Sequence, residues 1–211
     1  MPRQTLRLRA LALPTALLAA LALTITLAPG PAIAQSAPAP RLAYGTFLGG
    51  AGDDDARAVA VDGAGNIYLA GTTYSEPFPG TSGQRRDTNA FVTKLDPTGK
   101  SVVYSVLIGG SDDEEGLALA VDAAGNAWVA GYTQSADLPL RRPLPFSFQG
   151  DDDSFVSMLD PQGRLLFQSY LGYQGPDRIG ALALDAAGNA YLGGEMGATY
   201  GPQVRAAKLS A

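Results

Sequence analysis

Asp62-Gly63-Ala64-Gly65-Asn66 is the stretch that decides the fold, because the chain contains three versions of it. It returns as Asp122-Ala123-Ala124-Gly125-Asn126 and as Asp185-Ala186-Ala187-Gly188-Asn189. An aspartate at the first position can accept a hydrogen bond from the backbone two residues on, and a glycine three residues later adopts positive φ freely. The pattern therefore predicts a tight β-hairpin turn, with a structural role for each residue of this set: Asp62, Gly65, Asn66, Asp122, Gly125, Asn126, Asp185, Gly188 and Asn189.

The sequence around these turns predicts twelve strands, four in each of three units. β-branched and aromatic residues are enriched in short runs bounded by Gly, Pro, Asn and Asp, and these breakers interrupt the Ala-rich runs within about one or two helical turns. The predicted strands are Leu42–Leu48, Ala56–Val61, Asn66–Thr73, Ala90–Leu95, Val102–Ile108, Leu117–Val121, Asn126–Thr133, Ser154–Leu159, Leu165–Leu171, Ile179–Leu184, Asn189–Gly194 and Gln203–Leu209. We expect an all-β, β-propeller-like array of three four-stranded antiparallel blades, either an incomplete propeller or an unusually small one.

The N-terminus has the pattern of a secretory signal peptide over residues 1–34. Arg3, Arg7 and Arg9 precede a long apolar run, and Ala32-Ile33-Ala34 gives a small-x-small cleavage pattern. An uncleaved membrane anchor is the competing interpretation. Residues 35–41 then form a Pro/Ala-rich linker. The repeats occupy residues 42–209, at about 42–99, 100–163 and 164–209.

Composition excludes several classes of function. Cleavage after residue 34 leaves 12 basic and 20 acidic residues, a net charge of −8, which repels phosphate backbones and argues against nucleic acid as a partner. The chain has no histidine and no cysteine. A Ser-His-Asp triad, a Cys-His pair and the commonest transition-metal ligand are therefore excluded. No later stretch is long and apolar enough to span a membrane, so we expect no membrane insertion after cleavage.

The sequence resembles the bacterial β-propeller repeat family first described as seven-bladed, which occurs in secreted and cell-surface proteins. The resemblance covers residues 42–209, and the matching motifs are Phe78–Thr81, Phe91–Gly99, Tyr104–Gly110 and Ala120–Gly131. It implies a propeller fold and an exported location, in the periplasm or at the cell surface of a bacterium or outside the cell. The family has no catalytic residues to transfer, and it implies no cofactor.

The number of repeats departs from a closed propeller. Three blades fall short of the four to eight that normally close a ring, and an unclosed stack exposes apolar faces and strand edges. Three outcomes follow. The chain assembles with copies of itself to complete a propeller, it forms a small open three-unit fold, or it is a truncated relic.

Acidic loops form the first group of candidate site residues. Clustered carboxylates are the oxygen ligands that Ca²⁺ prefers, although the alternating spacing of a known calcium loop is missing. The competing interpretation is a solvated turn whose charge keeps a strand edge from pairing. The weak calcium candidates are Asp53, Asp54, Asp55, Asp112, Asp113, Glu114, Asp151, Asp152 and Asp153.

The two long loops, residues 74–89 and 134–153, form the second group. Loops held on a rigid scaffold often carry binding residues, and an arginine pair could grip an acidic glycan or instead serve solubility. The candidates are Arg85, Arg86, Arg141, Arg142, Phe146 and Phe148. The aromatics that follow the three turns, Tyr68, Trp128 and Tyr191, are expected to fill the space between sheets, with sugar stacking as the alternative.

The combined features predict an exported, non-catalytic module that binds a protein or a glycan, or serves as a scaffold, with an unknown ligand. One alternative is a glycan lyase or hydrolase that uses paired carboxylates. Another is a carbohydrate-binding lectin. No nucleophile elbow, phosphate loop or metal-ligand set supports the enzymatic interpretation.

Overall fold

The structure is a computed structural model that describes residues 39–81, 88–150, 152–197 and 203–210. The chain divides into two units, Met1–Arg41 and Leu42–Ala211. Only residues 39–41 of the first unit are described, so the predicted signal peptide and most of the linker lie outside the described residues. Within the described ranges, no helix is long and apolar enough to cross a membrane.

The second unit is built from antiparallel strands. They are β1 (Asp54–Val61), β2 (Ile67–Thr73), β3 (Asn89–Leu95), β4 (Val102–Ile108), β5 (Glu114–Val121), β6 (Ala127–Thr133), β7 (Asp153–Leu159), β8 (Leu165–Tyr170), β9 (Asp177–Leu184), β10 (Ala190–Met196) and β11 (Gln203–Leu209). The first sheet has the order β1-β2-β3-β4, the second β5-β6-β7-β8, and the third β11-β10-β9. The predicted all-β, propeller-like arrangement is confirmed, and the array is unclosed.

The prediction of a strand at Leu42–Leu48 is wrong. The segment has no strand assignment, and none of the described strands pairs with it. A strand exists through the hydrogen bonds that it exchanges with a neighbour, so β propensity alone leaves this segment without one. The other eleven predicted strands are present, with bounds that shift by a few residues.

The sheets are offset by one strand from the sequence repeat. Val102–Ile108 opens the second repeat in the sequence, yet as β4 it pairs with β3 of the first sheet. In the same way, β8 opens the third repeat and pairs with β7 of the second sheet. The first two sheets therefore take their last strands from the following repeat, and the third sheet has three strands among the described residues.

Two apolar layers hold the three sheets together. One layer lies between the first and second sheets and includes Tyr68, Val92, Val129 and Phe155, and the other lies between the second and third. The recurrent aromatics follow this stacking: Tyr68 is 0% exposed and Trp128 7%. Tyr191 is 42% exposed, because no further sheet covers the third one within the chain described.

The repeated five-residue turn has the same geometry in all three copies. In the first copy, Asp62 Oδ1 accepts hydrogen bonds from the backbone N–H groups of Ala64 and Asn66, both at 2.9 Å. Asp62 Oδ2 accepts a bond from Asn66 Nδ2 at 2.7 Å, and Gly65 has a φ of 85°. The same bonds recur at Asp122 and Asp185. The short motif thus satisfies its own polar groups.

Acid is expected to destabilise the fold through these turns. The hydrogen bonds from the side chain and then the backbone of Asn189 lower the pKa of Asp185 to about 2. A carboxyl whose pKa is lowered in the folded state stabilises it above the unfolded-state value near 3.8, and this contribution is lost as the pH falls through about 2. Melting temperatures measured between pH 5 and pH 2 should therefore fall, and they should fall less steeply for Asp185→Asn.

Other carboxyl groups act in the same direction. Burial by itself raises the pKa of Asp62, Asp96 and Asp160, but the hydrogen bonds that they accept lower it by more. Burial raises the pKa of Asp177, so that this one group works in the opposite direction. If the melting temperatures of the wild type and of Asp185→Asn fall equally steeply with pH below pH 4, the role of Asp185 is contradicted.

Candidate functional site

An acidic side chain at the start of each sheet's first strand fastens the glycine loop that precedes it. Asp54 Oδ2 accepts hydrogen bonds from Gly50 N at 2.8 Å and from Ser75 Oγ at 2.7 Å, and Thr73 Oγ1 donates to Asp54 Oδ1. Glu114 is equivalent: its Oε1 accepts a bond from Thr133 Oγ1 at 2.6 Å. These two calcium candidates are therefore engaged in bonds that join a loop to a strand end.

The third sheet repeats this arrangement at a position that the sequence did not single out as a site. Asp177 is fully buried and accepts hydrogen bonds from Tyr173 N and Gly197 N, both at 2.8 Å. The signal in the sequence was its position before an Ile-Gly-Ala strand, equivalent to the positions of Asp54 and Glu114.

The remaining acidic candidates are spread over several surroundings. Asp55 forms an exposed ion pair with Arg57 at 3.0 Å. Asp113 Oδ1 accepts a bond from Thr88 N at 3.0 Å, and buried Asp153 accepts one from Gln149 N. The exposed Asp53 contributes a backbone oxygen to Tyr74 N, and Asp112 and Asp152 line a cleft described below. Asp151 lies outside the described residues.

The described acidic candidates do not come together as a cluster of calcium ligands. In the described ranges, no group of three or more acidic side chains is close enough together to hold a metal ion. Successive side chains of an extended chain point to opposite sides, so neighbouring carboxylates in an acidic run face different partners.

The second long loop packs along the last strand of the second sheet. Arg141 exchanges two backbone hydrogen bonds with Gln168 of β8, and Arg142, with a φ of 50°, follows it on the exposed surface. Phe146 meets the ring of Tyr173 at 5.9 Å, and Phe148 meets Tyr170 at 5.9 Å. The loop therefore covers the edge of β8. Arg85 and Arg86 of the first long loop lie outside the described residues.

A cleft of ≈480 Å³ opens where three loops meet at this end of the sheets. Its lining comes from the β4–β5, β6–β7 and β8–β9 loops and consists of Asp112, Gln134, Phe148, Asp152 and Pro176. It unites two acidic candidates and one aromatic candidate from separate parts of the sequence. A second cleft, of ≈410 Å³, lies between the turns at Asp122 and Asp185 and is lined mainly by alanines and turn residues.

Ion pairing fixes the charges beside the loop cleft. Asp152 Oδ2 pairs with Arg178 of β9, whose Nε lies at 3.1 Å, and Asp152 Oδ1 accepts a bond from Gln134 Nε2 at 2.8 Å. Burial by itself raises the pKa of Asp152, but these bonds lower it by more. Arg178 also stacks on Tyr132, with its Cζ at 4.3 Å from the ring centroid.

Two titratable groups beside the cleft have pKa values that are shifted away from neutral pH. Asp152 stays ionised because its pKa is lowered, so it is a poor general acid. Burial, followed by the hydrogen bond with Glu115, raises the pKa of Tyr132 to about 12, so its hydroxyl stays protonated. Neither group changes its charge near neutral pH, whereas an efficient acid or base has a pKa near the working pH.

Sequence reasoning missed three residues of this region. Gln134, Pro176 and Arg178 lie in or beside the cleft, and none belongs to a motif that repeats. Their lack of repetition was the available signal, because a residue that differs between repeats is free to serve a local contact.

Residues 44–79 match the family model SBBP, described as a beta-propeller repeat. The match begins before β1 and continues through β2 into the loop that contains Phe78. It confirms the resemblance inferred from the sequence, and the all-β fold agrees with it. No curated protein matches the chain.

Proposed function

Because residues 44–79 match a beta-propeller repeat, we propose that the chain is an exported, non-catalytic propeller module that binds a neutral glycan in the loop cleft. The signal-peptide pattern of residues 1–34 supports export, to the periplasm or beyond the cell. The observation that carries the binding proposal is the lining of the cleft: two carboxylates, an amide and a phenyl ring from two different loops, with Pro176 from a third.

This set of groups matches the chemistry of a sugar. Carboxylate oxygens accept hydrogen bonds from hydroxyl groups, an amide both donates and accepts, and an aromatic side chain supplies apolar contact area. The lining favours an uncharged ligand over an acidic one, because Asp112 and Asp152 repel anions and Arg178 is already paired with Asp152.

Replacing Asp112 with asparagine is expected to weaken glycan binding by about tenfold to a hundredfold, the effect of a hydrogen bond to a charged group. The ligand is first identified on an array of neutral and acidic glycans, and its affinity for the wild type and the variant is then measured by calorimetry. Asp55→Asn is the matched control, because Asp55 is an exposed aspartate near the start of β1, outside the residues that line the cleft.

Equal affinities for the wild type and Asp112→Asn would contradict the proposed site, and retention of acidic glycans alone would contradict the ligand class. An enzymatic function is tested on the same glycans. Turnover of a bound glycan that is abolished in Asp112→Asn would replace the non-catalytic proposal with a glycan hydrolase or lyase.

A further inference from the structure

We propose that Leu42–Leu48 of one chain forms the fourth strand of the third sheet in a second copy, pairing with the open edge of β11. The offset between sheets and repeats leads to this inference. The strand that opens the second repeat pairs with β3, and the strand that opens the third pairs with β7. By the same rule, the segment that opens the first repeat should pair with the last strand of a sheet that precedes the first sheet. In a second copy of the chain, that strand is β11 of the third sheet.

The C-terminal end of the segment is already held as the ends of β4 and β8 are held. Gly50 N donates to Asp54 Oδ2 at 2.8 Å. The equivalent bonds run from Gly110 N to Glu114 Oε2 at 3.2 Å and from Tyr173 N to Asp177 Oδ2 at 2.8 Å. The segment therefore ends next to the start of β1, where the fourth strand of a preceding sheet would also end.

Tyr44 gives an independent indication of the same placement. Tyr104 of β4 lies against Gly163, so that a Cβ added there would meet the base of the tyrosine ring, and a Cβ added at Gly99 would meet the outer edge of the Tyr44 ring. Gly99 and Gly163 occupy the same position in two Asp-Pro-x-Gly turns. Tyr44 thus lies against the first sheet as Tyr104 lies against the second.

The segment and the end sheets also expose apolar groups that their equivalents bury. Phe47 is fully exposed, whereas Tyr170, at the equivalent position of β8, is 2% exposed. Val59 is 65% exposed, whereas the equivalent Leu119 of the second sheet is 8% exposed. With Tyr191 uncovered at the other end, the outer faces retain the residues of a sheet-to-sheet contact.

The occupant must come from another chain. The second sheet separates the first sheet from the third, because one apolar layer lies on each of its faces. A segment that lies against the first sheet is therefore remote from β11 of its own chain. A second copy offers the matching surface, since its third sheet has the same face that the first and second sheets present to their successors.

Two copies of these three sheets are enough to close a ring. The described residues of each copy form three sheets, so two copies give six, within the four to eight of closed propellers, while three copies would give nine. The interface is isologous, because a two-fold axis relates the copies and the third sheet of each chain packs against the first sheet of the other.

The register of the exchanged strand follows from its two equivalents. Tyr104 pairs with Lys94, and Phe167 pairs with Met158. The equivalent positions are Tyr44 and Lys208, which places Thr46 opposite Ala206 of the second copy. Cα atoms at paired positions are about 4.5–5.5 Å apart, a separation that a disulfide can bridge, and the chain has no cysteine that would compete.

The variants Thr46→Cys and Ala206→Cys are each produced as the whole chain, and the two proteins are then mixed under oxidising conditions. The expected result is a disulfide-linked heterodimer on a non-reducing gel, formed by the mixture and by neither variant alone. A mixture of Thr46→Cys with Ala123→Cys is the matched control, because Ala123 is exposed in the β5–β6 turn, and it should give no heterodimer. Equal cross-linking in the control would overturn the proposed register.

Two further measurements complete the test. Light scattering of the unmodified protein should give twice the mass of one chain, and Phe47→Asp should lower that mass to one chain. A wild-type monomer would overturn the proposal whether or not the cysteine variants fold. A disulfide within a single chain of the double variant Thr46→Cys/Ala206→Cys would also overturn it, because three sheets would then close on themselves.

Discussion

Replacing Phe155 with alanine is expected to lower the free energy of unfolding by about 3–5 kcal/mol. Phe155 is 0% exposed and lies in the apolar layer between the first and second sheets. Its strand, β7, is paired on both sides, with Gly131 and Tyr170 as its direct neighbours. The surrounding sheet cannot easily collapse into the space left by the ring, so the cost of the cavity adds to the loss of apolar burial.

Urea unfolding of the wild type and the variant measures this effect. Tyr74→Ala is the matched control, because it also removes an aromatic ring but from a side chain that is 62% exposed. We expect the control to change the free energy of unfolding by no more than about 0.5 kcal/mol. A similar small loss for Phe155→Ala would show that the first two sheets are not packed together as described.

Replacing Gly131 with alanine is expected to cost about 1–3 kcal/mol or more, the range for overpacking a filled site. Gly131 of β6 faces Gly116, next to a bulge in β5, and an added Cβ would run into the backbone oxygen of Glu115. Backbone atoms of a paired strand cannot move aside as a flexible side chain can, so the strand pairing itself must shift. Gly71 and Gly194 meet the same kind of obstruction in the other two sheets.

Gly180→Ala provides the matched control for this prediction. Gly180 also lies within a strand, β9, but an added Cβ there meets no atom within 4 Å. Alanine should be neutral or slightly stabilising at this position, because glycine weakens strand interiors. Thermal unfolding of the two variants beside the wild type compares them directly. Equal melting temperatures for the two would argue against the close backbone contact at the bulge.

The local features were predictable because their causes lie within a few residues. In the Asp-x-x-Gly-Asn turn, the aspartate accepts hydrogen bonds from the residues two and four positions later, so a segment of five residues is enough to specify the turn. Eleven strands followed from β propensity between such turns. The repeat of these elements at intervals near 60 residues then indicated a propeller-like array.

The candidate site was less accessible from the sequence. Asp112, Phe148 and Asp152 were named for their composition, but their meeting with Gln134 and Pro176 in one cleft depends on how three loops converge. In the sequence, Asp54 and Glu114 are members of acidic runs. In the structure, their carboxylates accept hydrogen bonds from hydroxyl groups at or next to strand ends. Runs of like charge in the sequence do not reveal which side chain turns towards which partner.

The sequence by itself determined the turns, the strands and the all-β repeat, because local hydrogen bonding and backbone preference encode them. Only the tertiary structure decided which strands share a sheet. It assigned Val102–Ile108 to the sheet before its own repeat and left Leu42–Leu48 without a partner. Strand pairing is a choice among edges with similar hydrogen-bonding groups, and packing in three dimensions makes that choice.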